Sequence, residues 1–155
     1  MQAGKFEHGF TLLELLVVIV IVGITLGMVS FSVLPSERQE LQNDAQRIAQ
    51  LLQLARDEAI VRNRPIAFEA GPDRYRFLLY DDHVWQPIHD DDLLRERNFR
   101  RSPVSISIDP VPAQAGAIKI IFGREPVSKP FVMTLATGNA QAEIRADGIG
   151  HFTVE

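Results

Sequence analysis

From Leu15 to Leu34 the chain runs for 20 residues without a charged side chain. A helix rises ~1.5 Å per residue, so this run would be about 30 Å long, the thickness of a bilayer's hydrocarbon core. The residue immediately before it is Glu14. A carboxylate at the mouth of a membrane-length helix is costly and calls for a partner. A cut between Gly9 and Phe10 would create one. The new amine at Phe10 would lie one helical turn from Glu14, or reach the Glu14 of a neighbouring subunit. Within the run, Gly23 and Gly27 form a GxxxG pair. That spacing either lets helices approach closely or softens the helix.

The block Gly9-Phe10-Thr11-Leu12-Leu13-Glu14, followed at once by the apolar run, resembles the prepilin signal of type IV pilins and type II secretion pseudopilins. The resemblance implies a leader, residues 1–9, removed by a membrane peptidase that also methylates the new terminal residue, Phe10. Methylation leaves the amine charged, so it still suits Glu14. It further implies a single-pass subunit held in the inner membrane with its C-terminal domain in the periplasm. An ordinary membrane anchor would leave Glu14 unexplained. A secretory signal cut near Ser30-Phe31-Ser32 would carry a more basic leader than Lys5 beside Glu7, and would rarely open its apolar region with an acid.

The remaining sequence is enough for one small hydrophobic core. It holds no cysteine, so packing rather than disulfides must stabilise it in an oxidising compartment. Pro35-Ser36-Glu37 marks an exit from the apolar run and a new helix start. Leu41, Ala45, Ile48, Leu52, Ala55 and Ala59 then recur at steps of three and four, the stripe of an amphipathic helix. Arg62-Asn63-Arg64-Pro65 ends it: basic residues suit the negative pole, and Pro65 disfavours helix at Arg64. The organisation expected is a leader 1–9, a membrane and assembly helix 10–34, an amphipathic helix 35–64 and a β-rich domain 65–155. As one nearly continuous rod, Phe10 to Arg62 would measure roughly 80 Å.

Beyond Pro65 about seven strands are expected. Ile66–Ala70 and Arg74–Tyr80 flank a Gly71-Pro72-Asp73 turn, and Val104–Ile108 alternates at period two. Ile118–Phe122 and Phe131–Leu135 are strand-like, and Asp147-Gly148 separates Ala142–Ala146 from Ile149–Val154 as a hairpin turn would. The fold class is α+β, an antiparallel sheet curled around the long helix. Residues 81–103 read least clearly, with a short strand at Val84–Ile88 and a turn at Asp90-Asp91-Asp92.

Chemistry-bearing motifs are sparse. The three adjacent aspartates lack the spaced ligands and glycine of a calcium loop, and a solvated turn accounts for them. His8, His83, His89 and His151 show no metal-ligand spacing, and no Gly-x-Ser-x-Gly is present. The reading is therefore not an enzyme, with no metal or other cofactor. Arg95, Arg97, Arg100 and Arg101 could neutralise phosphates, but Asp90 to Asp92 and Glu96 offset them, and the net charge is −4. Nucleic acid is not an expected partner, and Trp85 is expected to pack rather than stack on bases.

Leu54-Ala55-Arg56-Asp57-Glu58-Ala59-Ile60, Arg62-Asn63-Arg64-Pro65-Ile66, Trp85-Gln86-Pro87-Ile88 and the final Asp147-Gly148 hairpin resemble the H-type minor pseudopilins of type II secretion, the GspH family. The related minor pilins of type IV pili often carry a disulfide. The resemblance implies a structural subunit of a short pseudopilus that helps export folded proteins across the outer membrane. Its partners would be other pseudopilins, the prepilin peptidase and methyltransferase, the inner-membrane secretion platform and the membrane itself. A minor pilin of a type IV pilus or DNA-uptake machine is the alternative.

Overall fold

The computed structural model describes residues 11–30, 36–111, 118–125 and 128–155, with backbone alone for 26–30. The chain divides into two compact units, Met1–Pro35 and Ser36–Glu155. The first contributes one described helix, α1 (Leu12–Ser30), whose sequence is apolar apart from Glu14 and Thr25 among its longer side chains. The junction near Pro35, and with it the expectation of a continuous rod, lies outside the described residues.

The second unit opens with α2 (Glu37–Val61). Ser36 caps it: its side-chain oxygen accepts from the Gln39 backbone N–H at 3.2 Å. The six residues of the expected stripe, Leu41, Ala45, Ile48, Leu52, Ala55 and Ala59, are all buried. The helix stops by a specific device. Arg64 N–H donates to Ala59 O and Asn63 N–H to Ile60 O, while Asn63 takes a φ of 54°. This paired closure is a Schellman motif with asparagine in the left-handed position. Pro65 follows because nothing beyond that point needs to remain helical.

Two antiparallel sheets pack on α2. The five-stranded sheet contains β1 (Ile66–Ala70), β2 (Arg74–Asp81), β3 (Val84–Pro87), β4 (Arg97–Asn98) and, later in the chain, β6 (Ile118–Phe122). Its order is β3-β2-β1-β6, with β4 also paired to β2. The four-stranded sheet runs β5-β7-β8-β9, formed by β5 (Ser105–Asp109), β7 (Phe131–Thr137), β8 (Ala140–Ala146) and β9 (Phe152–Val154). Alternation sends Phe68, Tyr75 and Phe77 from the first sheet and Met133, Leu135 and Ile144 from the second into a shared core against the helix. Alanines at 45, 49, 55 and 59 keep the helix surface low enough for both sheets to approach. The Phe68 and Tyr75 rings lie 5.9 Å apart, and Tyr75 and Phe99 5.3 Å.

The described residues thus form nine strands, against the seven or so expected. The additional pairing comes from residues 81–103, which are more ordered than their composition suggests. Asp82 and His83 both take positive φ, 47° and 66°, and turn β2 tightly into β3. The chain then runs as a strap that buries Leu94, Phe99 and Val104. Phe99 N–H donates to Asp73 O and Val104 N–H to Pro72 O, so the strap is tied to the β1–β2 turn.

The last hairpin also departs from expectation. Asp147-Gly148 does not form a two-residue turn between strands reaching to Ile149. Residues 147–151 form a longer loop, and β9 begins only at Phe152. The cause is the Asp147 carboxylate, whose Oδ1 accepts from the backbone N–H groups of Ile149, Gly150 and His151 at 2.8, 3.1 and 3.1 Å. A side chain that takes three amides leaves them no ladder partners.

Candidate assembly site

The first unit presents an unusual surface. From Leu12 to Ile24 the large apolar side chains of α1 are 47–84% exposed on every face of the helix. A helix apolar all round belongs inside something, a membrane or a bundle of other helices. Among the described residues no helix is long and apolar enough to cross a membrane. Residues 31–34 of the expected span lie outside those described. Gly23 has open space where a Cβ would stand. The Thr25 hydroxyl turns back onto the Ile21 and Val22 carbonyls at 2.9 and 3.0 Å, which satisfies it without an outside partner.

Glu14 sits in the first turn of this helix. Its backbone N–H donates to Thr11 O at 3.0 Å and lies 3.3 Å from Thr11 Oγ1. Thr11 is therefore the N-cap and Glu14 the third helical residue, in the Thr-x-x-Glu order of a capping box. The acid also complements the positive pole of the helix. The sequence reading missed this local role, although the four letters Thr11-Leu12-Leu13-Glu14 carried it. The Glu14 residue itself is exposed. Gly9 and Phe10, the expected cleavage junction, and His8 lie outside the described residues.

The charged segment of the second unit resolves into internal ties. Asp91 Oδ1 accepts from Leu93 and Leu94 N–H at 2.8 and 3.0 Å. The Leu94 amide, more than the Leu93 amide and Arg62, holds the Asp91 carboxyl below its usual range, against a raising effect of burial. Arg97 donates to Asp92 O at 2.7 Å. Arg100 donates its backbone N–H to Asp44 at 2.9 Å. Arg101 bridges Glu37, at 3.0 Å, and Glu40. These last two arginines fasten the strap to the start of α2. Trp85 packs against Tyr80 with centroids 5.0 Å apart, and Lys119 Nζ lies 4.2 Å from the Trp85 ring centroid. Burial pushes the Tyr75 hydroxyl's pKa up.

Of the histidines, His83 forms a turn and His89 is exposed. His151 Nδ1 lies 2.7 Å from Asp147 Oδ2, on the exposed loop already described. The described residues hold no group of three or more His, Cys, Asp or Glu placed to bind a metal.

Comparisons with known proteins bear on both units. The family described as type II transport protein GspH matches residues 44–150, and the prokaryotic N-terminal methylation motif matches residues 4–30. Type II secretion system protein H of Pseudomonas aeruginosa is 37% identical over 87 residues, which are 54% of this chain and 51% of that protein. The match thus spans about half the length of each. The minor pseudopilin EpsH of Vibrio cholerae superposes with a TM-score of 0.61 at 17% identity, covering 77% of this chain and 98% of that one. The type IV minor pilin FimU of Pseudomonas aeruginosa superposes with a TM-score of 0.55 at 18% identity, covering 77% and 90%. At such identities these likenesses show the fold, which is pilin-like: a long helix packed against antiparallel sheets.

Proposed function

The chain belongs to the GspH family of type II transport proteins, and from that premise we propose that it is a minor pseudopilin, a structural subunit of the type II secretion pseudopilus that helps export folded proteins across the outer membrane. The observation that carries the reading is the bare apolar surface of α1 with a single acid in its first turn. A surface of that size in water would drive aggregation, so it belongs in lipid before assembly and among other helices after it.

In this reading a prepilin peptidase cleaves between Gly9 and Phe10, and Phe10 is N-methylated, as the match to the methylation motif supports. The subunit stays in the inner membrane with Ser36–Glu155 in the periplasm. Its partners are other pseudopilins and the secretion platform, and its work is assembly rather than catalysis. Glu14 pairs with the N-terminal amine of a neighbouring subunit. Both charges are uncomfortable in lipid alone, so pairing sets register as well as adding energy. The Thr11 cap leaves this role intact: its hydroxyl accepts from the Glu14 backbone N–H, and the exposed carboxylate remains available.

The likeness to FimU supports a second reading, a minor pilin of a type IV pilus. A deletion strain separates the two. Loss of exoprotein export with intact pili and motility is expected. Loss of pili with normal export would overturn the secretion reading. N-terminal mass spectrometry of protein purified from membranes should begin at a methylated Phe10, and a chain beginning at Met1 or beyond Ser32 would overturn the subunit reading altogether.

A further inference from the structure

The two edges of the five-stranded sheet end differently. The hydrogen-bond phase of β1 is fixed at both its ends, because Tyr80 N–H donates to Pro65 O and Gly71 N–H to Arg74 O, both at 2.9 Å. Alternation then turns the main-chain groups of Ile66, Phe68 and Ala70 toward β6, where they meet Phe122, Ile120 and Ile118. The N–H and C=O groups of Lys119 and Ile121 are left pointing away from the sheet, and among the described residues no strand pairs with them. At the opposite edge the same alternation puts Pro87 of β3 in the outward position, where it has no N–H to offer. One edge is blunted and the other is open. Beside the open edge a groove of about 500 Å³ runs between the two sheets, walled by Ile108, Ile120, Phe122 and Phe131. Its charged lining residues are Lys119 and Lys129, and no carboxylate lines it. Lys119 rests on the Trp85 ring, while its cross-strand neighbour Glu69 is taken by Arg76 at 2.8 Å.

We propose that β6 receives an extended acidic segment of another protein as a further strand. The outward main-chain groups of Lys119 and Ile121 supply the ladder, and the side chains on either side of it supply the choice of partner. Ile118, Ile120 and Phe122 face the core side, so the added strand turns apolar residues that way, into the groove. Lys119 and Ile121 face the other side, so a carboxylate on the added strand comes beside Lys119 as a cross-strand neighbour. The occupant therefore alternates apolar and acidic residues. A second copy of β6 fits poorly, because it brings its own Lys119 and Lys129 to a lining that already holds two cations and no acid. Ile121, 46% exposed at this edge, loses water when the strand adds. The proposal draws on Ser36–Glu155 alone and holds whether the subunit serves secretion or a pilus.

The probe is a short fluorescein-labelled peptide of alternating glutamate and valine, titrated with the full-length chain in detergent and followed by anisotropy. The parent chain is expected to bind it and to bind the matching lysine-valine peptide more weakly. Lys119→Glu with Lys129→Glu should weaken the glutamate peptide about tenfold and reverse the preference. Ile121→Pro removes an outward N–H without touching a β1 bond and should weaken binding to a similar extent. Two N-methylated peptides test the ladder without altering the protein, one blocked at every glutamate amide and one at every valine amide. Only one set of amides faces β6, so one of the two peptides should fail and the other bind. No binding up to about 1 mM peptide would overturn the proposal. Equal binding of the lysine peptide by the parent, or parental binding of both methylated peptides, would do the same. Dimers of the full chain that Ile121→Pro dissolves would put a second copy on this edge and overturn the acidic partner.

Discussion

The carboxylate of Asp44, 3% exposed on the inner flank of α2, accepts the backbone N–H of Arg100 at 2.9 Å and lies 3.6 Å from that residue's guanidinium. A residue of the helix and a residue 56 positions later are thereby locked together. The lock holds the strap whose Leu94 and Phe99 complete the core over Tyr75.

Asp44→Ala should therefore cost more than its single polar contact suggests. It strands the Arg100 N–H and removes the charge partner in a buried place. A loss of about 2–3 kcal/mol is expected. Asp44→Asn keeps an acceptor for the amide and should lose about 1 kcal/mol. Urea unfolding of a chain beginning at Ser36 measures both. Equal effects of the two substitutions would show that the charge, not the acceptor, carries the lock.

How far the sequence foretold this fold depends on the kind of signal. The α2 stripe was legible because a period of 3.6 survives in the letters, and every residue it named is buried. The strands facing α2 were legible for the same reason at period two. The strap was not. Its two-residue β4 is too short for periodicity, and it is held by long-range pairs such as Arg100 with Asp44 and Arg101 with Glu40, which no local pattern encodes. At the candidate site, Glu14 stands out as an acid beside an apolar helix, while its capping partner Thr11 is a small neutral residue whose role shows only once its hydroxyl is seen to accept the Glu14 N–H.

The Asp147-Gly148 hairpin shows a third case, a correct element with the wrong turn. Gly148 has a φ of 84°, and a Cβ there would collide with the backbone oxygen of Ser128 and stand 3.2 Å from Pro130 N. Ser128 N–H donates to Gly148 O at 2.7 Å, so the two segments cannot part without losing that bond. Gly148→Ala should destabilise the second unit by about 2–4 kcal/mol, combining backbone strain with a backbone clash. Thermal unfolding measures it, and a melting temperature within a degree or so of the parent would contradict the close approach.

The same loop predicts an acid-sensitive step. Partial desolvation pushes the Asp147 carboxyl up, but the His151 side chain and the backbone N–H groups of Ile149 and His151 outweigh it and hold the pKa at about 2. The ordinary value, 3.8, applies when the chain is unfolded. A group depressed on folding stabilises the fold above its unfolded pKa and loses that contribution as pH falls through the folded one. Loss is thus expected between about pH 4 and pH 2. His151→Ala should raise the Asp147 pKa toward the ordinary value and narrow that window. Carboxyl-carbon NMR titration follows the residue directly, and an unchanged midpoint would show that the backbone amides suffice.

Glu14 allows the two roles of one residue to be separated. Glu14→Gln keeps a third-position side chain compatible with the capping box of Thr11 but carries no charge for a neighbour's amine. Glu14→Ala removes that side chain as well, but keeps the backbone N–H that Thr11 caps. If the ion pair guides assembly, both variants should be processed between Gly9 and Phe10, and both should fail to enter the pseudopilus to a similar extent. If the Glu14 side chain acted only at its own helix start, Glu14→Gln should assemble as well as the parent and only Glu14→Ala should falter, and only slightly, because the Thr11 cap on its backbone N–H remains. Comparing the assembled fraction of the three chains with their N-terminal processing gives the answer. A Gln variant with parental assembly removes the charge argument and leaves the acid as a local feature of the helix start.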